Sequence, residues 1–216
     1  MQRTYSPLLI ALSAWLLPCT LAVWWWYAAH AGWMSAQILP SPWRVLDSAR
    51  DVLPDDLAQA LPVSLSRLGI GLLAGVALGV ILGALFGLSR VFSRLVMPLF
   101  TVLVQIPTLA WIPLLMLILG LGESLKLVIL IKAITVPVAL YTCVGIQQIP
   151  APLCEMARML RLRPLTYLYR LALPAVLPYL MTGTRLAFSQ GWVSLIAVEL
   201  LASTEGLGYS LVQSRQ

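Results

Sequence analysis

The sequence predicts an all-α integral membrane protein with about five transmembrane helices. Three observations predict it. The 216 residues are 60% hydrophobic and only 10% charged, with a mean hydropathy of +0.91, whereas a soluble domain carries about a quarter charged residues. Several apolar runs reach the roughly 20 residues that crossing the hydrocarbon core requires. Glycine recurs at every fourth position in one run and proline interrupts others, patterns that suit helices packed against one another in a bilayer.

Composition also excludes classes of function. The net charge of +6 comes from short segments between apolar runs, so it reads as an orientation signal and not as a nucleic-acid surface. Cys19, Cys143 and Cys154 show no CxxC or Cys/His ligand spacing, and His30 is the only histidine. A His-based metal site or a Ser-His-Asp triad therefore has little to be built from. No metal and no catalytic set are expected, which disfavours an intramembrane enzyme.

Residues 1–29 read as an N-terminal span, its apolar run extending from Pro7 to Tyr27 after Arg3. A signal peptide is the rival reading, because Ala29-His30-Ala31 mimics a small-x-small cleavage site. Signal cores are about 7–15 residues, shorter than this run, so a retained span is favoured. Trp24, Trp25, Trp26 and Trp33 suit an interfacial belt. Residues 30–60 form a periplasmic linker, in which Trp43 to about Val52 reads either as a short amphipathic helix or as a solvated loop lying on the membrane. Its aspartates, Asp47, Asp51, Asp55 and Asp56, keep it at the water interface.

The core, 61–216, opens with a second span from Leu61 to Leu88. Gly71, Gly75, Gly79, Gly83 and Gly87 place a ridge without side chains along one helix face, where another backbone can approach closely. A basic turn with Arg90 and Arg94 leads to a third span, Met97–Leu119, interrupted by Pro107 and Pro113. A tight link, "GLGES", precedes a fourth span, Leu125–Ile146, containing Lys132 and Pro137. A fifth runs from Ala175 to Leu201. Lysine and arginine are more abundant on the side shared by the N-terminus, the Arg90 turn and residues 147–173, which places that side in the cytoplasm.

Residues 154–174, "CEMARMLRLRPLTYLYRLALP", carry Arg158, Arg161, Arg163 and Arg170 with one carboxylate, Glu155. Leu153, Met156, Ala157 and Leu160 recur at helical spacing, and a break near Arg163-Pro164 starts a second short helix. Two readings stand: a charged loop that only fixes topology, or a cytoplasmic foot on which a soluble partner docks.

This segment resembles the EAA motif of ABC-importer permeases. Glu155 and Ala157 match its first and third positions, Met156 replaces the middle alanine, and Leu171, Leu173 and Pro174 fall where Ile, Leu and Pro belong. Arg161 stands where the motif has glycine. Either the turn uses Arg163-Pro164 instead, or the coupling loop is impaired. "LPSPWRVL", "GLSRVFSRLVMPLF", "QIPTLAWIPLLMLILGLGESLK" and "AVELLASTEGLGYSL" are similar to successive stretches of the sulfonate/nitrate/taurine-type permeases, from about residue 39 onward. The resemblance implies a MetI-like permease bundle in a bacterial inner membrane. It also implies a coupling loop, 147–174, seated in a separate ATPase dimer that binds ATP and Mg, a second permease copy, and a periplasmic solute-binding protein. One more crossing would follow "GLGY", whereas this sequence ends at Gln216. The chain contains no GxxxxGK[ST] phosphate loop, in keeping with hydrolysis on another polypeptide.

Polar groups inside spans are costly and mark candidate pathway positions. Gln105, Lys132, Arg185, Gln190 and Glu199 are those groups. Arg185 has snorkelling as its alternative, Glu199 a pairing with Lys126 at the span end, and the glutamines interhelical hydrogen bonding. Lys132 and Arg185 suit an anionic solute. The expected function is the membrane subunit of an ATP-driven importer of such a solute, the alternative being a passive channel or an accessory subunit without an ATPase.

Overall fold

The structure, a computed structural model, describes residues 7–35, 37–51 and 53–213. Within the helices, the side chains of 7–14, 49, 51, 53–55, 158, 164, 165 and 168 lie outside the described set. The chain folds into two units, Met1–Leu57 and Ala58–Gln216, and no strand occurs among the described residues.

The first unit contains α1 (Pro7–His30) and α2 (Pro42–Asp51). Trp33 closes the turn after α1 by meeting Trp24 and Tyr27 edge-on, with ring centres 6.0 and 6.1 Å away. Trp25 Nε1 donates to the Pro40 carbonyl at 3.1 Å. Such rings join an apolar body to a polar tip, so they are satisfied at a boundary between oil and water. Arg3 lies outside the described residues.

In the second unit, α3 (Leu53–Leu88), α6 (Glu123–Gln147) and α9 (Leu173–Ala202) supply the core. One buried cluster draws Leu68 from α3, Leu130, Ile134 and Val138 from α6, and Ala187 and Leu195 from α9. Among the described residues, three helical stretches, Asp56–Leu88, Glu123–Gln147 and Tyr169–Ala202, are long and apolar enough to cross a membrane.

Successive glycines of α3 rest on successive turns of α6. Gly71 lies against Leu130, Gly75 against Ile134, Gly79 against Val138, Gly83 against Thr142 and Gly87 against Ile146. Numbers rise together on both helices, so α3 and α6 run parallel. The approach is close enough for Thr135 Oγ1 to donate to the Gly75 carbonyl at 3.2 Å. Against α9, Gly145 of α6 meets Val176 and Tyr179 while Gly191 of α9 meets Ile134, so α9 runs antiparallel to α6.

The third expected span is corrected. It begins earlier, with α4 (Arg90–Gln105), and Arg90 and Arg94 belong to its first turns instead of a loop; Ser89 caps it by accepting from Phe92 N at 3.2 Å. The chain then breaks at Ile106-Pro107 into a 3-10 turn (Thr108–Trp111) and α5 (Ile112–Leu119), bent by 93° from α4. Pro107 has no N–H to continue the helix and holds Ile106 extended. Pro113 interrupts nothing, because it occupies the first turn of α5 where its missing donor is not needed. The bent pair runs from one end of the bundle to the other. It starts where Phe86 of α3 meets Phe92 and Phe100 of α4. It ends where Ile112 packs with Leu125, Ile129 and Val198, at the far end of the same bundle. Parallel α3 and α6 need such a return between them.

The last expected span also starts earlier. After α7 (Ala151–Met159), α8 (Pro164–Tyr167) passes through a π-helical turn, Leu168–Ala172, directly into α9, with Pro174 in its first turn. A short α10 (Leu207–Gln213) follows.

Candidate functional site

The break between α4 and α5 creates a cavity of about 500 Å³ facing α6 and α9. Ile106, Pro107 and Thr108 of the break, Lys132 of α6, and Ser189, Gln190 and Ser194 of α9 line it. Irregular backbone inside a membrane is tolerated where it is buried or lines a cavity, since its polar groups need partners. Lys132 Nζ donates to the Ile106 carbonyl at 3.4 Å and lies 5.2 Å from the centre of the Trp111 ring. The first contact is long for a charged donor, so the ammonium keeps donors to spare. Two groups foreseen as pathway residues, Lys132 and Gln190, are thus brought together. Gln105, the last residue of α4, is exposed and does not line this cavity. Arg185 lines a second cavity, also about 500 Å³, with Thr184, Phe188 and Ser189.

Glu199 has a different place. It is fully buried at the Glu123 end of the bundle, where it receives Ser64 Oγ at 2.9 Å, Arg67 Nη1 at 2.9 Å and the Gly208 N–H at 3.0 Å. Lys126 does not pair with it; that ammonium meets Glu123 Oε1 at 2.7 Å. Arg67, 3% exposed, holds the group together. Its Nε and Nη2 form a fork on Glu123 at 2.8 and 2.6 Å, and it reaches both the Glu205 carbonyl and carboxylate at 3.1 and 3.3 Å. The guanidinium therefore ties α3 to α6, to α9 and to the segment before α10. Ser64 also accepts the Leu207 N–H at 2.9 Å. Gly206 lets the chain pass over the carboxylate, since its φ of +107° and the nearness of Glu199 both exclude a side chain. The sequence patterns did not single out Ser64, Glu123 or Glu205. The available signal was Ser64 and Arg67 one turn apart at the head of an apolar run, which demands a counter-ion.

At the opposite end, α7 terminates in the manner that asks for glycine. Leu162 N–H donates to the Ala157 carbonyl at 3.1 Å, the long bond of a Schellman ending, whose intervening residue is left-handed. That residue is Arg161, with φ +46°. Of the two alternatives for the turn, Arg161 itself takes the left-handed position, and Arg163-Pro164 opens α8 instead of replacing it. Ala157 is buried, Glu155 and Met156 are exposed, and Leu171 is half-buried while Leu173 and Pro174 are exposed. The Arg158 side chain lies outside the described residues. A left-handed non-glycine residue costs about 1–2 kcal/mol, partly offset by the extra chain entropy glycine carries when unfolded. Arg161→Gly is therefore expected to stabilise this turn by about 0.5–1 kcal/mol, read as slower amide exchange at the α7 terminus. Unchanged or faster exchange would contradict the strain.

Residues 75–216 match the sequence model of the family described as "Binding-protein-dependent transport system inner membrane component". The putative aliphatic sulfonates transport permease protein SsuC of Escherichia coli strain K12 is 35% identical, over 96% of this chain and 80% of its own length. The taurine transport system permease protein TauC of the same strain is 32% identical, over 95% of this chain and 76% of its own. The nitrate import permease protein NrtB of a Synechocystis strain is 31% identical over 79% and 66%. A single-pass anchor or a water-soluble fold would leave no reason for the parallel glycine-packed helices and the broken crossing beside them; with a match that covers about two thirds of its length, this chain belongs to the family of inner-membrane components of binding-protein-dependent transport systems.

Proposed function

We propose that this chain is the membrane-spanning permease subunit of an ATP-driven importer, and that its solute is a small anion of the sulfonate, taurine or nitrate kind. The observation that carries the solute class is the cavity at the α4–α5 break. Lys132 is its one charged lining residue; Thr108, Ser189, Gln190 and Ser194 add hydroxyl and amide groups to an otherwise apolar lining that holds no carboxylate. Relatives named for sulfonates, taurine and nitrate support the same chemistry. ATP and Mg are bound by a separate ATPase dimer that grips residues 155–174 from the cytoplasm, with Glu155 and Arg161 on the foot. A second copy of this chain completes the pathway, a periplasmic solute-binding protein loads it, and the N-terminus is cytoplasmic.

A hydrogen bond to a charged group is worth about 1.5–3 kcal/mol, which corresponds to roughly tenfold or more in solute handling. Lys132→Gln, assembled with its ATPase and binding protein in proteoliposomes, should therefore lose at least about tenfold of its uptake of the preferred anion. Uptake of sulfonate, taurine and nitrate all unchanged in a normally assembled complex would sink the proposal.

A further inference from the structure

We infer that Arg185 forms a second anion station, and that Ser189 is the hand-over point between it and the Lys132 cavity. The inference rests on the reading of Lys132 as the first station. Both cavities are about 500 Å³, both are lined by Ser189, each holds one cation, and neither is lined by a carboxylate. Arg185, Ser189 and Val193 follow at four-residue spacing on α9, so they form one stripe of that helix. Along its axis Gln190 and Arg185 differ by about 7.5 Å at 1.5 Å per residue. An anion leaving Lys132 therefore meets the guanidinium within about two helical turns, in the direction of the α7–α8 foot.

Arg185 has no ion-pair partner among the described residues, in contrast to Arg67, whose every nitrogen is engaged. A cation within a span is retained at a cost and as a rule faces a cavity. An unpaired guanidinium offers two parallel donors to a sulfonate, nitrate or carboxylate oxygen pair. Ser189 is exposed, and its hydroxyl makes only a 3.5 Å contact with the Arg185 carbonyl of its own helix, so it is free to turn towards either station.

The test is thiol labelling of Ser189→Cys in the assembled complex, with the parent chain as the blank for its native cysteines. Paired reagents carry a sulfonate or a quaternary ammonium beside the same methanethiosulfonate group. Relative to their ratio on a free thiol, the sulfonate reagent should be favoured at least tenfold. Arg185→Gln and Lys132→Gln should each reduce that preference threefold or more, while Arg185→Lys should retain it. A preference lowered by Lys132→Gln but untouched by Arg185→Gln overturns the second station and leaves the first cavity standing. No preference at all, together with intact uptake in Lys132→Gln, overturns both. No preference with uptake lost in Lys132→Gln overturns the Arg185 station and the hand-over at Ser189, and leaves the first cavity standing.

Discussion

Arg67→Met is expected to destabilise the protein by about 3–5 kcal/mol, the range for leaving a buried charge without its partner. The variant strands Glu199, which is fully buried and keeps only the Ser64 hydroxyl and the Gly208 N–H as donors. Glu123 suffers less, because it is half-exposed and retains Lys126 at 2.7 Å. The cause can be separated from lost packing. Glu199→Gln removes the charge yet keeps an acceptor for Ser64 and Gly208, so its effect should be the smaller. The double variant Arg67→Met, Glu199→Gln should regain about 1–3 kcal/mol of what Arg67→Met loses, the scale of coupling within one network. Thermal unfolding of the four proteins in one detergent measures the cycle. Strict additivity would show that the two groups do not act as a pair.

Gly83→Ala carries the second large effect. An added methyl would meet the Ala139 carbonyl of α6 and lie 2.6 Å from Thr142 Cβ. A carbonyl within a helix cannot swing aside as a lysine tip can, so α3 and α6 must separate. Overpacking of this kind costs about 1–3 kcal/mol, and here the separation would also strain the Thr135–Gly75 hydrogen bond. Gly69→Ala is the matched control, with nothing within 4 Å of its added carbon. Alanine is intrinsically better than glycine in a helix by about 0.5–1 kcal/mol, so the control should be neutral or stabilising. Equal effects at both positions would mean that helix propensity, and not close packing, governs α3.

The glycine stripe was readable as a packing face because four-residue spacing is a property of one helix. Its partner was not readable, since any apolar helix satisfies the stripe equally well. Pro107 announced a break, but the 93° bend depends on where α5 finds Leu125 and Val198 to pack against. Arg161 could be placed at the glycine position of the motif. Which of two nearby turns went left-handed was decided by the bond from Leu162 back to Ala157. The charged clamp was least legible. Arg67 reaches residues 56, 132 and 138 positions away, and no local pattern names partners at that distance.

The amino-acid sequence alone determined that this is a multi-spanning helical protein, where its helices stop, and which face of α3 is bare, because hydropathy, proline and glycine act through the chain's own neighbours. Only the tertiary structure decided that α3 and α6 run parallel, that Lys132 faces the broken crossing, and that Glu199 is locked to Arg67 and not on the cavity. Those outcomes depend on which distant groups can satisfy a buried charge or fill a bare helix face, and that competition is settled only when all the helices are together.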